Sequence, residues 1–502
     1  MDNLSLDYLT RKSDLGFERR ILYYPEKIIQ FGTGVLLKGL PDFIIDHANK
    51  NGAFEGKIVM IKSTDTRGSI ESLHSQDCLY TVATRGIQDK RLIDKQDICA
   101  SVSRILIAKT QWASILSLSK KEEIEFVFSN TTEVGITYEP EKITPGECPN
   151  SFPGKVVAFL KSRFEYFNGD LSKGLIFLPA ELISNNGDEL KRIVFQLAEE
   201  NYNDLAFLSW LKSANTFCNT LVDRIVPGEA NDTLDDKLPY KDKNAIVVEP
   251  YALWAIEGDD SIKDKLTFCL PENGAFVAPS IEKYKEIKLR ILNAAHTFSS
   301  GLAFLSEYKL VKDAMRDEDF YAFMKILMAN EISEAMTSEV SDLEKNDFAQ
   351  KVLDRFRNPF LEHQWLSICM NYSYKMTTRC LPLIKSYYEQ GKEVPELMLL
   401  GFTAHLAFLK PVSIIEDKYY GEANGEQYLI NDPNADYFYK IWSSEGSNEL
   451  KIKKILENEE LWGENLNNLN RFAEQVYNTF STIMEQGTGK TLSETISKLE
   501  NA

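Results

Sequence analysis

The sequence predicts an α/β chain: a mostly parallel sheet wrapped by helices in the first half, then a mainly α-helical domain. Three observations predict it. Short apolar runs alternate with helical patterns up to about residue 280. The first of these runs ends in a Gly-Thr-Gly turn where a strand should pass into a helix. Beyond Lys283 the strand-like texture stops, and long segments with a 3.6-residue period take over.

The elements follow in order. Lys27–Phe31 (KIIQF) is the first strand, closed by Gly32-Thr33-Gly34, with a helical pattern running on to His47. Lys57–Lys62 (KIVMIK) is the second strand, Glu125–Phe128 (EFVF) the third and Leu175–Ile183 (LIFLPAELI) the fourth. Leu79–Arg85 and Arg104–Ala108 read as extra strands inserted between the second and third. The helical half contains Leu289–Leu305, Phe320–Ala335, Phe348–Phe356 and Pro359–Tyr374. Leu397–Leu409 is too short to span a bilayer and reads as a buried helix. Glu416–Asn434 is polar with several Gly and Asn and reads as a surface loop. The expected domains are 1–279 and 280–502.

Bulk properties narrow the function. A formal charge of −18 over 502 residues repels a phosphate backbone and an anionic lipid surface, which argues against nucleic-acid or membrane partners. Seven scattered cysteines without a CxxC read as reduced thiols. The five histidines lie far apart with no metal-ligand spacing, so no metal is expected. The polar N-terminus has no apolar signal region, and a cytoplasmic enzyme is expected. No feature of the sequence sets an oligomeric state.

The turn after the first strand is a candidate dinucleotide site. Glycine at 32 and 34 lets the chain turn tightly and lets a pyrophosphate approach the backbone. The residues expected to hold the cofactor are Ile29, Gln30, Phe31, Gly32, Thr33 and Gly34, with Asn130 and Thr131 after the third strand. Leu37 replaces the third glycine of the usual fingerprint. Asp65 stands where a ribose-binding carboxylate belongs, and Arg67 is close enough to take a 2′-phosphate, so the spacing leaves NAD and NADP both open.

The candidate chemical site opens the helical half. On an α-helix Lys288, His296 and Asn293 fall at about 0°, 80° and 140°, all on one side. Leu289 and Leu292 share that arc. Polar groups among leucines need partners or a task, and desolvation suits a lysine to proton exchange. The same spacing also fits an amphipathic helix with an exposed Lys, a capping Asn and a core His.

Lys288, Asn293 and His296, as KxxxxNxxH, resemble the signature of the mannitol dehydrogenase family of polyol-specific long-chain dehydrogenases. Further landmarks run the length of the chain: KIIQFGTGVLLKG (27–39), QDCLYTVATRG (76–86), FVFSNTTEVGI (126–136), PAELISNNGDEL (179–190), FCNTLVDRIVPG (217–228) and RFRNPFLEHQWLSI (355–368). The resemblance implies a Rossmann-type first domain binding NAD and a helical second domain, without a metal. It implies Lys288 as general acid/base, with Asn293 and His296 polarising the reacting oxygen. It places Asp223 and Lys375 near substrate. Three positions depart from the polyol pattern: Leu182 stands for an asparagine, Ser367 for an arginine and Lys38 for an arginine. Asn186 and Asn130 are the candidate replacements for the amide missing at 182.

The departures at Leu182 and Ser367 suit a sugar-acid branch. The expected reaction is reversible hydride transfer at a ketone or secondary alcohol of an open-chain hexuronate, such as reduction of D-tagaturonate to D-altronate. A cation among Lys375, Arg379, Arg355 and Arg357 should hold the substrate carboxylate. The competing expectations are a sister enzyme on fructuronate/mannonate or a polyol, an isomerase or epimerase that uses NAD transiently, and a non-catalytic NAD-binding sensor.

Overall fold

The computed structural model describes residues 1–12, 17–63, 70–131, 135–229, 234, 237–336 and 339–501. The chain forms two compact units. Unit 1 comprises residues 1–85 and 92–282, and unit 2 comprises 86–91 and 283–502. The division therefore lies at 282/283, where the sequence suggested 279/280. The short stretch Gly86–Arg91, not expected there, joins unit 2, where the Lys90 amide donates to Asp354 Oδ2 at 3.2 Å.

The strands of unit 1 are β1 (Glu26–Phe31), β2 (Lys57–Lys62), β3 (Tyr80–Gln88), β4 (Arg91–Cys99), β5 (Val102–Ile107), β6 (Phe126–Ser129), β7 (Ile176–Pro179), β8 (Thr216–Phe217), β9 (Thr220–Asp223), β10 (Gly228–Glu229), β11 (Ile246–Val248), β12 (Leu253–Glu257) and β13 (Ala275–Ala278). The main sheet is parallel, in the order β5-β2-β1-β6-β7-β8. Its strands are buried on both faces. Ile29, Phe31, Val59, Ile61 and Val127 enter one core, while Ile28, Ile58, Phe126 and Phe128 enter the other. Side chains alternate across a strand, so a strand covered on both faces is apolar at successive positions, as at Ile28-Ile29 and Ile58-Val59-Met60-Ile61.

Two sequence expectations change here. Arg104–Ala108 is no insertion, because β5 pairs in parallel with β2 as the edge of the main sheet. The Leu79–Arg85 run does lie outside that sheet: β3 joins a four-stranded sheet in the order β10-β11-β3-β4. The run Leu175–Ile183 forms a strand only as far as Pro179.

Unit 2 is helical apart from a small antiparallel sheet, β14 (Ser413–Ile415), β15 (Lys418–Ala423) and β16 (Glu426–Leu429). This sheet replaces the expected loop at 416–434. Asn424 and Gly425 turn the hairpin with φ of 52° and 79°, the double left-handed turn that Asn-Gly favours. The segment expected to be helical over 359–374 contains only two short turns, Trp365–Ile368 and Tyr372–Lys375.

The helix Ala295–Leu305 packs against the buried helix Glu396–Phe408. Side chains larger than glycine would not fit at two points of this contact. A Cβ at Gly401 would meet the Phe298 carbonyl oxygen at 2.7 Å, and one at Gly301 would meet the Tyr372 hydroxyl at 2.9 Å. That hydroxyl accepts from Gly301 N and donates to Thr297 O, both at 2.8 Å. It therefore occupies the place of one i→i−4 bond of the helix.

Candidate active site

In unit 1 the carboxyl ends of β1, β2 and β6 form one edge. Gly32 N donates to Ile61 O at 3.0 Å, and Asn130 N donates to Phe31 O at 3.1 Å. Gly32 has φ +126°, and a Cβ there would stand 2.9 Å from Asn130 O. Only glycine fits that turn. At Gly34, which precedes the short helix Val35–Gly39, a Cβ would meet nothing within 4 Å. The half-buried Ser63, just past β2, has an Oγ without a hydrogen-bond partner among the described residues. A tight turn, open space over its second glycine and an unpaired hydroxyl beside it fit a dinucleotide's phosphates and ribose. Asp65 and Arg67 lie outside the described residues.

The other expected cofactor residues divide into two groups. Ile29 and Phe31 are core side chains, so their contribution to a ligand is through the backbone. Gln30 is fully buried, with Nε2 3.4 Å from Asp42 Oδ2. Lys38 turns inward over the Tyr80 ring, with its Nζ 5.6 Å from the ring centroid. Thr33 is half-buried on the turn itself. Asn130 donates to Ala180 O at 2.6 Å, and Thr131 donates to Glu181 Oε1 through both N and Oγ1 at 2.9 Å. Glu181, which also accepts from Ser129 Oγ, organises this edge and was not found from the sequence. Burial raises its pKa, against the hydrogen bonds that favour its charged form.

Asn186 is not positioned as the missing amide. It is buried, and its Nδ2 donates to Pro179 O, Glu181 O and Thr220 O while Oδ1 accepts from Gly187 N and Thr220 N. Its hydrogen-bonding capacity is used in joining β7 to β9. Asp223 ends β9 and is buried opposite Leu253.

In unit 2, Lys288–Ala294 is a π-helix, and this changes the geometry expected of the signature. In an α-helix Lys288 and Asn293 would stand about 140° apart. In a π turn each residue bonds to the fifth one on and the turn is wider, so Asn293 stands closer to the Lys288 side than an α-helix would put it. Two more π turns, Leu327–Ile332 and Met376–Cys380, pack against this one. The Arg290 guanidinium ties two of them together by donating to the Thr378 and Arg379 carbonyls at 3.1 and 2.7 Å. Lys288 and Asn293 are both half-buried.

His296 begins the α-helical continuation. Its ring stacks on Phe356 at 4.0 Å and meets Trp365 edge-on at 6.0 Å. Its Nε2 is sealed from solvent and has no hydrogen-bond partner among the described residues. Burial, followed by the charges of His363, Arg355, Arg379 and Lys375, holds the imidazole neutral, well below its usual range. Lys375 Nζ donates to Ile368 O at 2.9 Å, and burial together with the Arg379 charge lowers its pKa. Of the four cations considered from the sequence, Arg357 points elsewhere, over the Tyr321 ring at 5.5 Å. The structure thus gathers Lys288, Asn293 and His296 on one bent helix, with Arg355, Lys375 and Arg379 acting on the imidazole.

The matches to known proteins agree with this division. The Mannitol dehydrogenase Rossmann domain model matches residues 26–268, and the Mannitol dehydrogenase C-terminal domain model matches 280–484. The chain belongs to the mannitol dehydrogenase family. Among relatives, the altronate oxidoreductase of Halalkalibacterium halodurans is 34% identical over 509 residues, covering 99% of this chain and 98% of the relative. Those of Bacillus subtilis and Escherichia coli are also 34% identical, covering 94% and 92% of this chain and 95% of each relative. Among solved structures, the mannitol 2-dehydrogenase of Pseudomonas fluorescens, in a ternary complex with NAD and D-mannitol, aligns with TM-score 0.67 at 21% identity over 99% of this chain and all of the other. A substrate-free D-sorbitol dehydrogenase aligns with TM-score 0.75 at 18% identity over 98% of this chain and all of the other. Both share the fold. No described helix is long and apolar enough to cross a membrane, and the described residues contain no cluster able to hold a metal ion.

Proposed function

We propose that this NAD-dependent oxidoreductase of CH–OH groups interconverts D-tagaturonate and D-altronate. The observation that carries the proposal is His296, whose Nε2 has no hydrogen-bond partner among the described residues, on the same bent helix as Lys288 and Asn293. Near-full-length identity to altronate oxidoreductases supports the same substrate pair.

Gly32, Thr33 and Gly34 would hold the phosphates of a dinucleotide, whose nicotinamide would supply hydride-transfer chemistry at the ketone carbon. Lys288 gives a proton to the oxygen as the carbonyl becomes an alkoxide, and recovers it in the reverse direction. Asn293, one π turn above, donates a hydrogen bond to the same oxygen. His296, held neutral, donates through Nε2–H, and its low basicity keeps it from competing with Lys288 for the proton. Asp223 and Lys375 serve the substrate's hydroxyls. No metal takes part.

The test is a panel of D-tagaturonate, D-fructuronate and D-fructose with NADH and NADPH, followed by absorbance of the reduced coenzyme. D-tagaturonate with NADH should give the highest kcat/KM. Turnover confined to fructose would refute the sugar-acid reading. A preference for fructuronate would identify the sister activity. Binding without turnover on any ketone would point to a sensor.

A further inference from the structure

We propose that Arg379 is the residue that recognises the substrate's carboxylate and so sets the preference for a sugar acid over an uncharged ketose. The inference rests on the hexuronate reading above and adds the residue responsible for it.

The argument begins with charge. Arg355, Lys375 and Arg379 act on one imidazole, and Lys375 and Arg379 also act on each other. Like charges brought together in a partly buried place raise the free energy of the empty site unless an anion joins them. No carboxylate of the described chain pairs with Lys375 or Arg379. Asp432, the acid that acts on Lys375, is already bound by Ser373 N and Oγ at 2.7 and 2.6 Å. The anion therefore comes from outside.

The three cations differ in what they have left to offer. Arg355 is buried and has partners within the protein. Lys375 spends one of its three ammonium donors on the Ile368 carbonyl and presents a point charge, not a fork. Arg379 is only half-buried, and its guanidinium has no hydrogen bond or ion pair with a described residue. Its backbone is nonetheless fixed, because the Arg290 guanidinium holds the Arg379 carbonyl at 2.7 Å. It lies on the π turn Met376–Cys380, packed against the π turn that carries Lys288 and Asn293. A planar fork on a fixed backbone, with donors to spare, suits bidentate recognition of a carboxylate. The arginine of the polyol enzymes is replaced by Ser367, which is exposed and uncharged, so position 367 cannot supply that recognition.

The test compares D-tagaturonate with D-tagatose, the same skeleton with a hydroxymethyl group in place of the carboxylate. In Arg379→Leu the ratio of kcat/KM for tagaturonate to that for tagatose should fall about 30- to 1000-fold, mainly through KM. Arg379→Lys keeps the charge without the fork and should recover part of that loss. A ratio within about threefold of the unaltered enzyme in both variants would overturn the proposal. So would a parallel loss on both substrates in the milder Arg379→Lys variant. The unaltered enzyme tests the underlying reading by itself: no preference for tagaturonate over tagatose there would refute the hexuronate substrate, whatever Arg379 does.

Discussion

The carboxyl edge of the sheet in unit 1 and the π-turn cluster in unit 2 treat their polar groups in opposite ways. At the sheet edge, Glu181 takes Ser129 and Thr131, Asn130 takes a carbonyl, and Asn186 uses both ends of its amide. The turn at Gly32 and the Ser63 hydroxyl are what remain for a ligand. In unit 2, His296 Nε2 is left unpaired among the described residues, and the Arg379 guanidinium has no described acid paired with it. An unpaired buried polar group costs about 1–3 kcal/mol, and such a cost persists where a substrate offsets it. The difference teaches a division of labour. The side chains around Glu181 and Asn186 serve as scaffold, while unit 2 holds the His296 nitrogen in reserve for a reacting oxygen.

The sharpest way to break that contrast is Lys288→Ala. Loss of the proton donor should lower kcat about 10²- to 10⁴-fold, with NADH binding by fluorescence unchanged. Full activity in that variant would return the helix to a purely structural role. A smaller effect is expected from the scaffold side. Gly32→Ala places a Cβ against Asn130 O at a φ of +126°, and should cost about 1–3 kcal/mol in chemical denaturation as well as weakening NADH binding. Unchanged stability and NADH affinity would show that the turn relaxes freely.

A third prediction concerns pH. Burial raises the Asp42 carboxyl from 3.8 to about 7, against hydrogen bonds from Gln30 and Tyr80 and the charge of Lys38. A raised folded pKa means that the folded chain holds the proton more tightly than the unfolded one. The stability from that proton is complete below about pH 4 and is lost as pH rises through about 7, an effect on the order of 4 kcal/mol at most. Asp42→Asn should therefore flatten the dependence of stability on pH between 5 and 8. An unchanged slope would mean that the buried carboxyl is charged throughout. The smallest expected effect is none at all: dialysis against a chelator should leave the reduction rate unaltered, and lost activity restored by a divalent cation would contradict a lysine-based mechanism.

Much of this was legible in the sequence, for identifiable reasons. Strands buried on both faces are written as continuous apolar runs, so β1, β2 and β6 could be placed closely. The Asn-Gly pair at 424–425 carried the signal of a hairpin inside what composition alone makes a loop. Other features depend on long-range packing. Nothing in KLRILNAAH announces i→i+5 bonding, which arises where three bent helices pack together, so the α-helical angle between Lys288 and Asn293 did not survive. Asn186 looked available because its partners, Pro179, Glu181 and Thr220, include a strand over thirty residues away. Glu181 was passed over for the same reason, since its value lies in Ser129 and Thr131 some fifty residues earlier.

The central claim is that the polarity held in unit 2 answers to substrate and not to cofactor. The measurement that reaches it most directly is the nitrogen resonance of His296 Nε2 in enzyme labelled at its five histidines. Saturating D-altronate together with NAD should shift that resonance as Nε2 gains a hydrogen-bond partner, while NAD alone should leave it in place. A shift with NAD alone, or none when D-altronate is added, would contradict the account.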